Sequence, residues 1–262
     1  MLHYEKRTFM QQYGMDFFEP YYGDCATMTY AITKAEKIVV LDMVVYCLTE
    51  NTSQTAGYCG ISSENYIYMS QWRSVKALFE QEKHFDEYNV FYVAERIFQN
   101  YVSSLKALCI GKWRDRYATP VDKVTLDDIM KRLEENLKAT GELFLLMGEK
   151  GFESLITNVE SIKVFSDEDI EIAAQESWLC PLIKLVLKRS TLSHLEQLEA
   201  VCDFLLCEEN TWCIGIYAFY ELVEKCEHDE QVLCRDKLEN VHMKIDELMK
   251  ELSGTWMMNL IA

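Results

Sequence analysis

The segment CEENTWCIGIYAFYELVEKCEHDE, residues 207 to 230, concentrates side chains that could bind a metal ion or a charged partner. It contains three cysteines, one histidine and seven carboxylates. Structural zinc sites usually draw on closely paired cysteine or histidine ligands, whereas carboxylates that bind no metal attract basic groups. The chain has no C-x-x-C motif, and the three cysteines are far apart along the segment. We therefore expect these cysteines to lie in a hydrophobic core.

A second group of candidate ligands lies in the last helical segment. Glu239 and His242 form a Glu-x-x-His pair, and Asp246 follows one helical turn later. In helical bundles this spacing directs two ligands to one iron or manganese ion, and further carboxylates complete the site. A diiron or manganese oxidase is therefore one alternative, with the ligands Glu80, His84, Glu239, His242 and Asp246. Glu239, His242 and Asp246 lie outside the apolar stripe of their helix. This position instead predicts that their side chains are exposed.

Motifs of nucleotide-binding and hydrolytic enzymes are missing from the sequence. It contains no G-x-G-x-x-G, no G-x-x-x-x-G-K-[ST] and no G-x-S-x-G. Ten cysteines and five histidines allow so many Cys–His pairs that no particular nucleophile is indicated. The sequence accordingly predicts no catalytic residue and no cofactor, and it favours a protein that is not an enzyme.

Charge is distributed unevenly along the chain, whose formal net charge is −17. Residues 1 to 120 carry 14 acidic and 12 basic side chains, whereas residues 121 to 262 carry 29 acidic and 14 basic ones. The acidic half would repel a phosphate backbone and an anionic lipid surface, so we expect it to bind neither nucleic acid nor a membrane. Complementary charge favours a basic protein partner.

The acidic side chains are densest between Ser190 and Glu230, where ten carboxylates accompany one base, Lys225. Like charges three or four residues apart on a helix repel each other by a few tenths of a kcal/mol per pair. A basic partner would relieve this repulsion, and exposed aromatic side chains would anchor it. The predicted partner-binding residues are Glu208, Glu209, Trp212, Tyr217, Tyr220, Glu221, Glu224, Glu227, Asp229 and Glu230.

The leading hypothesis from these patterns is a protein-interaction or inhibitor protein whose acidic C-terminal half occludes a basic partner. By charge and class it is comparable to small acidic proteins that neutralise toxins or effectors. The metal-dependent oxidase is the first alternative, and a small-molecule-binding helical domain with a pocket in the tyrosine-rich N-terminal half is the second. A solvated acidic surface without a partner is the simplest interpretation of the charge alone. The oligomeric state is not indicated.

Cysteine usage and the absence of long apolar runs predict a cytoplasmic location. The first 14 residues, MLHYEKRTFMQQYG, have no apolar core of a signal peptide. Several cysteines lie within apolar helical runs, which is typical of reduced, buried thiols. The run IVVLDMVVYCL, residues 38 to 48, is interrupted by Asp42 and is too short to span a bilayer.

The elements that must position these groups are helices. Apolar residues recur at steps of three and four over most of the chain, and only three prolines interrupt it. The sequence therefore predicts an all-α fold, with about nine helices in a globular bundle. Residues 1–119 would form a near-neutral aromatic-rich lobe and residues 120–262 an acidic lobe, unless the two make one continuous domain. Residues 31–50 are predicted to be helical, with a buried strand as the alternative.

Helix boundaries are marked by capping residues. Capping boxes are predicted where a serine or threonine precedes an acidic residue by three positions. The predicted boxes are Thr125 with Asp128, Ser166 with Asp169, and Ser193 with Glu196. Asn210 is predicted to cap the helix that contains the acidic segment, and Gly254 to end the last long helix.

Overall fold

The computed structural model of the chain describes residues 7–13, 28, 31–40, 42–43, 72, 76, 87–109, 125–255 and 257–261. All regular elements within these ranges are helices, which confirms the predicted all-α class. They comprise eleven α-helices and one 3-10 helix, slightly more than the predicted nine. The chain divides into two compact units, residues 1–101 and 102–262. The predicted lobe boundary at residues 119 and 120 lies outside the described residues.

The first unit contains helix α1 (Arg7–Gln12) and most of helix α2 (Glu87–Cys109). The apolar side chains of helix α2 recur every three or four residues, which is the periodicity that the sequence shows over most of the chain. Of these, Ala94, Ile97 and Tyr101 are buried. Trp72, another described residue of this unit, is also fully buried.

The prediction of a helix over residues 31–50 is wrong for part of that range. Residues 31–34 are helical, but residues 37–40 form neither helix nor strand. The side chains of Ile38, Val39 and Val40 are exposed. Three consecutive β-branched residues restrict side-chain rotamers in a helix, and this local cost outweighs the apolar pattern here. Residues 41 and 44–50 of this stretch lie outside the described residues.

The second unit holds the remaining helices and is the one that carries the acidic segment. Its elements are α3 (Leu126–Leu146), α4 (Gly148–Ser161), a 3-10 helix (Ile162–Val164), α5 (Asp167–Ala174), α6 (Cys180–Lys188), α7 (His194–Leu206), α8 (Ile216–Lys225), α9 (His228–Leu233), α10 (Arg235–Leu252) and α11 (Met258–Ile261). None of the helices in the described ranges is long and apolar enough to cross a membrane.

Three of the four predicted N-cap residues, Thr125, Ser166 and Ser193, begin their helices as expected. Thr125 accepts a hydrogen bond from the backbone N–H of Asp128, and the Asp128 carboxylate accepts one from the Thr125 N–H at 2.9 Å. Hydrogen bonds from Thr125 also hold the pKa of Asp128 below its ordinary value. Ser193 and Glu196 form the same reciprocal pair at the start of α7. Gly254, with φ of 82°, follows the end of α10.

Helix α7 lies at the centre of this unit because it is apolar on most of its surface. It packs against α6, α8 and α10, and Phe204 and Leu205 near its C-terminal end have no solvent exposure. The ring of Phe204 stacks on that of Trp178, with centroids 5.6 Å apart and planes inclined by 3°. Full burial of one such side chain contributes roughly 1.5–3 kcal/mol to stability. The acidic segment is therefore built on a well-packed core.

Candidate functional site

Helix α8 begins later than the sequence predicts, which changes the role of Asn210. The side chain of Asn210 is buried and does not cap a helix. Its Nδ2 donates to the carbonyl oxygens of Phe204 and Ile214, each at 3.1 Å, and its Oδ1 accepts from the Ile214 N–H at 2.8 Å. The two bonds with Ile214 close the loop of residues 207–215 on itself, and the bond to Phe204 ties this loop to the end of α7. Helix α8 starts after Gly215, whose φ of 104° favours glycine.

Lys244 of α10 secures the same loop from the other side, and sequence patterns do not reveal this contact. Its Nζ donates to the carbonyl oxygens of Leu205 and Cys207 at 2.7 and 2.6 Å. A cation at this position satisfies carbonyls that the last turn of α7 leaves unpaired. Burial lowers the pKa of the Lys244 ammonium, and the negative charges of Glu208 and Glu209 partly oppose that effect.

Trp212 belongs to the loop before α8 and not to the helix that Asn210 was predicted to begin, so that prediction is wrong for Trp212 as well. The ring lies half-buried directly over Gly141 of α3. A Cβ atom at Gly141 would be 2.4 Å from Trp212 Cδ1, which is closer than packed atoms approach. Trp212 therefore packs on the fold and is less available to a partner than the sequence suggests.

The exposed side of α8 carries four of the predicted partner-binding residues. Tyr217 and Tyr220 are 37% and 43% exposed, and Glu221 and Glu224 lie beside them at helical spacing. The inner edge of the Tyr217 ring packs against Gly148 at the start of α4. Burial raises the pKa of the phenols of both tyrosines. Both tyrosine side chains are thus held in place while part of each stays open to solvent.

The remaining predicted acidic residues flank α8 at its two ends. Glu208 and Glu209 are exposed in the loop before it, and Asp229 is exposed on α9 after it. Glu227 and Glu230 belong to the start of α9, where the Glu230 carboxylate accepts a hydrogen bond from the Glu227 N–H at 2.9 Å. Glu230 therefore caps a helix in addition to carrying charge.

The structure brings together residues that the sequence assigned to two different hypotheses. The His242 ring of α10 contacts two rings of α8, with its centroid 5.2 Å from that of Phe219 and 6.1 Å from that of Tyr220. The charge of Asp246 contributes, after burial, to raising the pKa of the Tyr220 phenol. His242 and Asp246 are therefore neighbours of Tyr220, one of the two exposed tyrosines of α8. The contact between Phe219 and His242 leaves no signal in the sequence.

The proposed oxidase ligands are only partly described. Glu80 and His84 lie outside the described residues, and Glu239, His242 and Asp246 are all exposed on α10. Within the described residues, no three histidine, cysteine, aspartate or glutamate side chains converge to hold a metal ion.

The described cysteines are free thiols that are buried or half-buried, as the sequence predicts for this part of the chain. They are Cys109, Cys180, Cys202, Cys207, Cys213, Cys226 and Cys234. Burial raises the pKa of Cys109 and of Cys202 to about 12, so almost none of either thiol is ionised at neutral pH. Because the thiolate is the reactive form, these two thiols are poor nucleophiles in the folded protein.

Comparison with known proteins identifies no relative. No protein-family model matches the chain, and no match to it is found among the curated proteins or the solved structures. We therefore infer a function from the surface formed by α8 and its neighbours.

Proposed function

We propose that this chain is a non-catalytic interaction protein that binds and occludes a basic protein partner with the exposed side of α8. The observation that carries the proposal is the placement of two half-exposed tyrosines beside carboxylates on one side of one helix. We call the surface formed by Tyr217, Tyr220, Glu221 and Glu224 the α8 surface. An inhibitor that neutralises a toxin or effector is the specific class that we favour.

Electrostatics favour a basic partner for this surface. Glu221 pairs with Lys225, but Glu224 and the flanking Glu208, Glu209 and Asp229 have no ion pair among the described side chains. A net charge of −17 attracts a basic protein over long distances and accelerates its association. Because exposed charges are screened by salt, such binding should weaken as ionic strength rises.

The tyrosines supply the part of the affinity that charge cannot. Tyrosine is enriched among the residues that dominate binding energy, because its ring buries apolar area while its hydroxyl keeps a polar contact. The packing of Tyr217 on Gly148 and the ring contact of Tyr220 with His242 hold both side chains in place before a partner binds. Side chains that are ordered beforehand lose less entropy on binding.

The test begins with capture of partners from an extract of the source organism, identification of any basic protein, and measurement of its affinity after purification. The variant Tyr217→Ala/Tyr220→Ala/Glu221→Gln/Glu224→Gln is expected to bind that protein at least about tenfold more weakly, since two anchor rings are removed. Raising the salt concentration to about 0.5 M should also weaken wild-type binding.

The matched control removes two charges elsewhere in the same unit. Glu149→Gln/Glu160→Gln alters two exposed carboxylates of α4 that lie outside the α8 surface. This control should retain nearly all of the affinity. If the α8 variant and the control bind the partner equally well, the α8 surface is not the binding site and the proposal fails.

A further inference from the structure

We propose that the junction of α8 and α10 binds an arginine side chain of the partner, through the ring of Tyr220 and the carboxylate of Asp246. This inference rests on the proposed function and identifies the group that the partner must present. It places His242 and Asp246, which lie next to the α8 surface, beside the bound arginine.

The Tyr220 ring is held in place by other rings. Its centroid lies 5.3 Å from that of Phe219 and 6.1 Å from that of His242, and the Phe219 ring meets His242 edge-on at 5.2 Å. Phe219 is fully buried, whereas 43% of Tyr220 is exposed. A partly exposed ring with its orientation set by packing is suited to contact a planar cation.

Asp246 provides the charge that such a cation needs. It is exposed, follows His242 by one helical turn, and forms no ion pair among the described side chains. Because side chains four residues apart on a helix are neighbours and the His242 ring centroid lies 6.1 Å from that of Tyr220, the Asp246 carboxylate lies on the side of α10 that faces Tyr220. The contribution of Asp246 to raising the pKa of the Tyr220 phenol agrees with this placement. A guanidinium stacked on the ring could therefore reach the carboxylate with its N–H groups.

Arginine fits this arrangement better than lysine does. The guanidinium is planar, weakly hydrated and rich in donors, so it stacks on a ring and pairs with a carboxylate at the same time. The ammonium of lysine is a compact, strongly hydrated charge that stacks less well. A second copy of this chain is a poor occupant, because two molecules of net charge −17 repel each other.

The test compares two capped peptides of equal length, one with three arginines and one with three lysines, for binding to the full chain by fluorescence anisotropy at low salt. We expect the arginine peptide to bind about two- to fivefold more tightly, the range given by an exposed cation–ring contact. Tyr220→Leu should abolish this preference, and Tyr220→Phe should keep it. Asp246→Asn should weaken arginine binding, while Glu247→Gln, which removes the adjacent exposed charge, should change it less.

Three results would overturn the inference in different ways. In the first, both peptides bind with equal affinity, Tyr220→Leu leaves that affinity unchanged, and Glu221→Gln/Glu224→Gln reduces it. This result would exclude an arginine site and leave the proposed function intact. Binding of neither peptide would count against both proposals. Sedimentation that shows a dimer lost in Tyr220→Leu would assign the junction to a second copy. Circular dichroism of each variant establishes that it is folded.

Discussion

The two segments that flank α8 belong to the same acid-rich stretch but are built in opposite ways. The leading loop, residues 207–215, folds around the buried Asn210 side chain and the Lys244 ammonium. The trailing segment, residues 226–234, contains α9, none of whose side chains is buried. It is fastened mainly by Gln231, whose Nε2 donates to the carbonyl oxygens of Val223 and Cys226 at 2.9 and 3.1 Å.

This difference shows that acidic composition alone does not define a site. Both segments carry exposed carboxylates, but only the leading loop is tied by buried polar contacts to the core that also supports Tyr217 and Tyr220. Buried hydrogen bonds cost much to break, whereas a helix without buried side chains opens cheaply. The α8 surface is therefore held rigidly at its N-terminal end and loosely at its C-terminal end.

The largest expected effect comes from removing the buried asparagine of the leading loop. Asn210→Ala leaves the Phe204 and Ile214 carbonyls and the Ile214 N–H without their partner, and each unsatisfied buried group costs about 1–3 kcal/mol. Because the loop can partly relax, we expect a total loss of about 3 kcal/mol in the free energy of unfolding. Urea denaturation followed by near-UV circular dichroism measures it.

The matched change in the trailing segment is Gln231→Ala. It also removes a side-chain amide that bonds two carbonyls, but Gln231 is only half-buried, so water can replace the lost contacts. We expect a loss of about 1 kcal/mol or less. Similar losses in the two variants would contradict the comparison between the segments.

The second prediction concerns the lysine that secures the leading loop. Lys244→Met keeps the length of the side chain but removes the donor to the Leu205 and Cys207 carbonyls, and we expect a loss of about 1–2 kcal/mol at neutral pH. The control on the same helix is Lys237→Met, which breaks the exposed pair with Asp203 and should cost about 1 kcal/mol or less.

The lowered pKa of Lys244 also gives this prediction a pH dependence. The folded protein releases the Lys244 proton more readily than the unfolded chain does, so stability rises with pH between the lowered pKa and the ordinary value of 10.5. Wild type should thus gain stability relative to Lys244→Met as the pH approaches 10.5. A constant difference between the urea midpoints of the two proteins from pH 7 to 10 would show that burial does not disfavour the ammonium.

Local signals explain what could be predicted from the sequence in this unit. The Thr125 and Ser193 capping boxes depend on residues three positions apart, so their hydrogen bonds follow from the sequence pattern. The same local preference made Asn210 look like an N-cap, although its partners are set by the packing of α7 against the loop. Lys244 reaches carbonyls 39 and 37 residues earlier, and no periodicity encodes such a contact.

The third prediction compares how easily the two segments open, using their own thiols. Cys213 in the leading loop and Cys226 and Cys234 in the trailing segment are 0%, 5% and 4% exposed, so none reacts without some opening. We expect Cys226 and Cys234 to be alkylated by iodoacetamide at least about tenfold faster than Cys213, because α9 between them has no buried side chain and its local opening breaks little packing beyond that of the two thiols. Peptide mapping by mass spectrometry of samples quenched at increasing times gives each rate.

The Asn210→Ala variant serves as the control because it weakens one segment only. Loss of the Asn210 bonds should accelerate alkylation of Cys213, because it lowers the free energy needed to open the leading loop. The alkylation rate of Cys226 should stay nearly unchanged, because α9 opens independently of that loop. If all three thiols accelerate together, the unit opens as a whole, and the two segments do not differ in local stability. Selective acceleration of Cys213 would instead show that buried hydrogen bonds, and not static exposure, hold the N-terminal end of the α8 surface in place.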